Sequence, residues 1–367
     1  MPSRRSFIAS FGGACIPSFA LTPNDIRELY VRSLVIDGLA NASTFNIMWP
    51  PVGPLTPRQL ANIQDSGITA INLTVTVGRA DFEAVVAGLA FWNNQVESHA
   101  ERLCIIRQHS DFARAKTVGS LGVILGFQRT TMLGEDLDRI KLFRDLGVRV
   151  MQLSYNNRSL YGDGCLEPAD AGLSVLGRQA IAEMNRLGVA VDLSHCGRRT
   201  TAEAIASSSK PVLLSHVGCS ALHRHPRNKD DSELRAMADK GGVAGIYLMP
   251  FLDIKGTRNT ELVIRHIEHA LKVCGEDHVG IGSDLSIQPI DETPGYQKAA
   301  AEFVASRKRT GGGAPGEDLP LYIPELNHPR RIESIALALG ARGHSATTIT
   351  KVIGGNFDRV LRTIWQA

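Results

Sequence analysis

Eight short apolar runs, each bounded by Gly, Pro, Asp or Asn, set the tightest limit on how this chain can fold. They occupy 34–37, 68–76, 122–127, 148–155, 189–195, 211–216, 242–249 and 279–285. Between them, segments at 56–65, 81–102, 135–146, 174–187, 200–207, 230–240 and 260–273 carry apolar residues at three- and four-residue spacing. Strand-like runs alternating with helical period mean parallel strands joined by right-handed crossover helices. Eight such units close into a (β/α)8 barrel, an α/β architecture that takes about 250 residues and tolerates insertions. The runs are nearly continuous in apolar residues, as strands covered on both faces must be. With 367 residues, the expectation is one TIM-barrel domain at 21–367 behind a leader at 1–20.

The leader contains Arg4-Arg5 ahead of a weakly apolar stretch that ends in small residues, the pattern of a twin-arginine (Tat) signal peptide. A periplasmic or secreted protein follows as an expectation. The stretch is too short to span a bilayer and is diluted by Gly12, Gly13 and Pro17, so no membrane span is expected. A net charge of +3 without a basic run interleaved with aromatics excludes nucleic acid as a partner. Cysteines at 15, 104, 165, 196, 219 and 274 form no CxxC pair and are expected to be mostly buried free thiols.

Seven of the eight runs end in a polar residue: Asp37, Thr76, Gln128, Tyr155, His195, His216 and Asp284. The seventh run ends in Met249. In a barrel enzyme the C-terminal strand ends carry the chemistry, because the loops there vary over a rigid floor. The loop at 286–329 is long and contains a glycine-rich stretch at 311–316, which reads as a lid over that rim or as a contact between copies in a homodimer.

Asp192-Leu193-Ser194-His195 and Leu213-Leu214-Ser215-His216 end two consecutive runs in the same way. Adjacent strands lie about 5 Å apart, so two matched histidines can reach one metal ion. Asp284 faces the same mouth as a third ligand, or as the base that takes a proton from an activated water. Arg227, in the polar stretch from His225 to Asp230, offers a planar fork to a carboxylate, with a solvated helix-capping turn as the plain alternative.

The succession "YNNRSLYGDGCLEPADAGLSVLGRQAIAEMNRLGVAVDLSHCG", "KPVLLSHVGCSALHRHPRNKDD", "HVGIGSDLS" and "VIGGNFDRVL" resembles the membrane (renal) dipeptidase family of zinc peptidases. The likeness runs from Val35-Ile36-Asp37-Gly38 to the final helix. It implies a metal-dependent barrel of the amidohydrolase kind that hydrolyses dipeptides or related small amides bearing a carboxylate. Position by position, it implies that His195 and His216 bind zinc, that Asp284 is catalytic, and that Arg227 with Asn228 holds the substrate carboxylate. Three positions depart. Leu39 and Asn41 stand where the family has a His-x-Asp metal motif, Gln128 replaces the bridging glutamate, and Tyr155 replaces a substrate-contacting histidine.

These departures leave Asp284 as the sole obvious anion, too little charge to offset two zinc ions, so one zinc per chain is expected. Gln128 and Tyr155 then become substrate contacts, with Tyr155 also available as an acid or base. Three readings stay open: a single-zinc hydrolase, a repurposed barrel enzyme such as an isomerase or tailoring enzyme, and a metal-free small-molecule-binding protein.

Overall fold

A computed structural model describes residues 21–43, 53–75 and 80–366. The leader, Cys15 and Thr76 lie outside the described residues. Eight parallel strands form the barrel: β1 (Ile36–Asp37), β2 (Ala70–Thr74), β3 (Leu121–Phe127), β4 (Val148–Gln152), β5 (Ala190–Asp192), β6 (Leu213–Cys219), β7 (Val243–Ile246) and β8 (Val279–Ile281). Each pairs with the next, and Asp37 opposite Ile281 joins β1 to β8, which closes the ring. Every predicted run overlaps one of these strands. Closure leaves no edge with unpaired backbone groups.

The helices follow the predicted segments because their ends are encoded locally. Helix Pro57–Ser66 starts from a capping box in which the Thr56 side chain accepts from the Gln59 amide, with proline in the first turn. It stops at Gly67, whose φ of 66° is the left-handed conformation that glycine adopts without strain. Helix Val175–Leu187 begins at Ser174, whose side chain accepts from the Gly177 amide, and ends at Gly188 in the same left-handed conformation.

Three elements depart from the sequence reading. Strand Leu103–Ile105 pairs with β3 outside the ring, beyond a helix that stops at Ser98 and not at 102. Strand β6 runs through His216 to Cys219, so this histidine sits within a strand and not at its end. The long loop at 286–329 contains a helix, Pro294–Arg309, so it is not a structureless connection. Five cysteines are free; Cys196 and Cys219 are buried and the other three partly so. Among the described residues no helix is long and apolar enough to cross a membrane.

The last helix, Asn356–Trp365, closes the N-terminal end of the barrel. Arg359 donates to the Gly241 carbonyl just ahead of β7 (2.9 Å), and Lys210, just ahead of β6, donates to the Ile364 carbonyl (2.6 Å). Phe357 inserts among Ile36, Ala70, Ile124, Val150, Leu213 and Val243, and is itself buried. Side chains on Gly38 and Gly280 would collide with its ring, so those glycines make the space that the plug fills.

Phe357→Ala should therefore cost about 3–5 kcal/mol, the range for emptying an aromatic site in a core that cannot collapse. Equilibrium urea unfolding reads this as a lower midpoint at unchanged slope; an unmoved midpoint would show that the ring does not support the barrel.

Candidate active site

Two buried imidazoles stand at the C-terminal mouth, with ring centroids 4.9 Å apart. Their orientation is set by hydrogen bonds that leave little choice of tautomer. Asn156 donates from Nδ2 to the Gly312 carbonyl (2.9 Å), which turns its Oδ1 toward His195 Nδ1 (2.6 Å). An amide oxygen can only accept, so His195 carries its proton on Nδ1. Ser215 donates its hydroxyl proton to Asp192 Oδ2 (2.5 Å) and must accept from His216 Nδ1 (2.7 Å). His216 is therefore the same tautomer. Both Nε2 atoms are buried and make no hydrogen bond. Burial holds both imidazoles well below the usual histidine range, and the charge of Arg227 adds to this, so both are neutral at pH 7.

Two neutral imidazoles with bare, inward Nε2 atoms fit the requirements of metal ligands. The remainder of a paired zinc centre does not fit. Leu39 is buried and apolar, and Asn41 uses its side-chain oxygen on the Ser43 amide (2.9 Å). Gln128 is uncharged and donates to Thr74 Oγ1 (2.9 Å). Among the described residues no group of three or more His, Cys, Asp or Glu side chains is gathered to hold a metal, so the expected trio of His195, His216 and Asp284 reduces to a histidine pair.

Asp284 follows β8 with a φ of 58°, a left-handed conformation uncommon outside glycine, and its amide donates to the Leu39 carbonyl (2.8 Å). That backbone turn aims the carboxyl into the cavity. Burial pushes its pKa up to about 7, against the opposing charge of Arg227. A group that titrates near neutrality can both take and return a proton.

Arg227 is buried, with one guanidinium nitrogen donating to the Ser194 carbonyl (2.6 Å) and Nη2 without a partner. Its neighbour Asn228 does not reach the cavity. The Asn228 amide donates to the carbonyls of His223 (2.7 Å) and Phe251 (3.0 Å) and accepts from the Tyr247 hydroxyl, so it braces the loop that carries Arg227. Tyr155 stacks on His195 at 4.0 Å between centroids. Burial raises its pKa, so at neutral pH the phenol is a donor and not a base.

The cavity lined by Gln128, Tyr155, His195, Arg227 and Asp284 measures about 370 Å³. Part of its wall comes from the inserted helix, whose Arg307 forms a two-bonded pair with Glu317 (2.5 and 2.7 Å). The segment at 286–329 therefore forms part of the wall over the mouth. Sequence reasoning missed Asn156, Asp192, Arg129, Arg307 and Glu317 as parts of the site. The serines before both histidines were the available signal for Asp192, since a hydroxyl repeated at matched positions has a common partner to serve.

After chelation of any metal, imidazole nitrogen NMR should find His195 and His216 as neutral Nδ1–H tautomers, still uncharged below the ordinary histidine range. Asn156→Ala should release His195 into a tautomer mixture and leave His216 as it was. A wild-type Nε2–H tautomer for either ring would remove it as a metal ligand.

Residues 37–302 match the model of the membrane dipeptidase family, peptidase family M19. A dipeptidase of Claviceps purpurea is 28% identical over 273 residues, which cover 73% of this chain and 57% of the relative's length. Among solved structures, an amidohydrolase from Pseudomonas aeruginosa superposes with a TM-score of 0.80 at 32% identity, covering 95% of this chain and all of that one (100%). A metallopeptidase from Rhodobacter sphaeroides, liganded with a phosphinate mimic of the dipeptide L-Ala-D-Ala, shares the fold at a TM-score of 0.73 and 19% identity, covering 91% of this chain and 100% of that one. The motifs in the sequence, the closed eight-stranded barrel and the family match agree: the chain belongs to the membrane dipeptidase family, peptidase family M19.

Proposed function

We propose that this protein hydrolyses the amide bond of dipeptides or N-acyl amino acids with one zinc ion held by His195 and His216. The observation that carries the reading is the histidine pair, two fixed tautomers whose Nε2 atoms are buried and without partners. When bound there, the ion would supply Lewis-acid polarisation of the scissile carbonyl and make an attacking water more acidic. The chain's own residues do the rest. Arg227 takes the substrate carboxylate on Nη2, and Asn228 keeps that arginine in place from behind. Asp284 receives the proton of the attacking water and returns it to the leaving amine. Tyr155 stays protonated and donates a hydrogen bond to substrate, while Gln128 presents a neutral amide to it.

The same departures that prevent a paired centre favour a second reading, in which the barrel binds a small acid without hydrolysing it. Elemental analysis of protein purified without added metal separates the two, together with detection of free amino acids released from dipeptides. The hydrolase reading expects at most one zinc per chain and loss of cleavage on chelation. Gln128→Glu should raise metal affinity, because it restores an anion beside the histidine pair. Zinc near two per chain in the wild type would overturn the single-ion assignment.

The two charged groups should fail differently. Arg227→Ala removes a contact made in the ground state and should raise KM by about 30-fold or more. Asp284→Asn removes a proton acceptor needed as the bond breaks and should lower kcat by about 10²–10⁴. Equal effects on both parameters in both variants would mean that the roles have been misassigned.

A further inference from the structure

The cavity's arginines are unevenly matched. Arg227 faces Asp284, which lies close enough for the opposed charges to act on each other. Arg307 is locked to Glu317, and Arg158 is held by Asp163 at 2.6 Å. Arg129 is different. Among the described residues no Asp or Glu lies within ion-pair distance of it, and the segments outside them contain no Asp or Glu in their sequence. Its guanidinium carbon stands 4.5 Å from the centroid of the Tyr155 ring, and that of Arg307 stands 5.3 Å from the same ring. Burial is the main cause that lowers the pKa of Arg129; Tyr155 opposes it and the like charge of Arg307 adds to it. An anion beside Arg129 would relieve both costs.

There is room for one. A second recess of about 240 Å³ adjoins the main cavity and shares Arg129, Tyr155, Arg307 and Thr310 with it. Asn157 and Ser159 supply further hydrogen-bonding groups there. A ligand whose first carboxylate meets Arg227 can thus direct a second toward Arg129. The guanidinium fork pairs with a planar carboxylate through two parallel hydrogen bonds.

We propose that Arg129, with Arg307 beside it, forms a second anion subsite, so that the pocket selects small molecules with two carboxylates, such as an acidic dipeptide or an N-acyl acidic amino acid. This deepens the proposed function and rests on its assignment of one carboxylate to Arg227. Arg129 is then a residue that sets specificity and takes no part in breaking the bond.

Titration calorimetry on the full chain with N-acetylglutamate and N-acetylglutamine tests it, because the two probes differ by one charge at nearly constant shape. The wild type should bind the glutamate by about tenfold or more over the glutamine. Arg129→Gln should bring the two affinities to within about threefold of each other, while Arg129→Lys should keep part of the preference. Equal affinities in the wild type, or a preference untouched by Arg129→Gln, would overturn the subsite. A parallel assay for amino-acid release keeps the two proposals apart. Charge preference without cleavage of any dipeptide would sink the hydrolase reading and leave the subsite standing. Cleavage of neutral dipeptides by a wild type that does not prefer glutamate would do the reverse.

Discussion

The Asp192 carboxylate is the tie on which the site depends. It is buried at the end of β5, where Oδ1 accepts from the Ser194 amide (3.1 Å), the Ser194 hydroxyl (2.6 Å) and the Ser215 amide (3.1 Å), while Oδ2 accepts from the Ser215 hydroxyl (2.5 Å). One side chain thereby joins two strands and orients both serines that precede the histidines. Ser194 also accepts from the His216 amide (3.1 Å), which fixes the height of that imidazole over the barrel. An acid stripped of water would ordinarily protonate, and burial does raise its pKa, but the four donors oppose that rise. The arrangement is stiff because removing any member would leave a buried polar group without a partner.

The second support comes from outside the barrel. Asn156 holds His195 in one tautomer because Gly312 of the inserted segment orients the amide. The same Gly312 carbonyl also accepts from Arg307 (2.6 Å), and His225 contacts the Pro315 carbonyl (2.9 Å). Displacing this segment would free the His195 ring and open the cavity wall at once. The segment at 286–329 is thus tied to the orientation of His195 as well as to the cavity wall, a tie that runs through hydrogen bonds and not through bulk.

The barrel was legible in the sequence because eight apolar runs and seven helical segments repeat a pattern that parallel pairing alone satisfies. The histidine pair was legible for a related reason: Ser194-His195 and Ser215-His216 repeat one local solution on neighbouring strands. What could not be read depends on groups far apart in the chain. Nothing near Asn228 announces that its amide is consumed by Tyr247, His223 and Phe251, so nothing local could correct the binding role that the family resemblance implied for it. Arg307 and Glu317 flank a glycine-rich stretch whose composition resembles a linker, and their pairing over the mouth appears once the helix Pro294–Arg309 is folded back. Asp284 was identified, but the left-handed turn that aims it is a property of backbone conformation and has no composition signal.

The departures from the family's ligand set then acquire a physical sense. Leu39, Asn41 and Gln128 remove negative charge and add none back, and the mouth keeps Arg129, Arg227 and Arg307 against Asp284 and Glu317. A centre with two divalent ions needs anionic ligands in the same space, and three arginines would oppose those ions across a low-dielectric cavity. With one ion, as proposed, the repulsion would be smaller, and the surplus positive charge would be available to a substrate. The missing anionic ligands and the arginine-lined recess of this chain are consistent with one electrostatic balance. A pocket that binds less metal can bind more acid, since the charge that no longer meets a carboxylate of the protein can meet one carried in by the ligand.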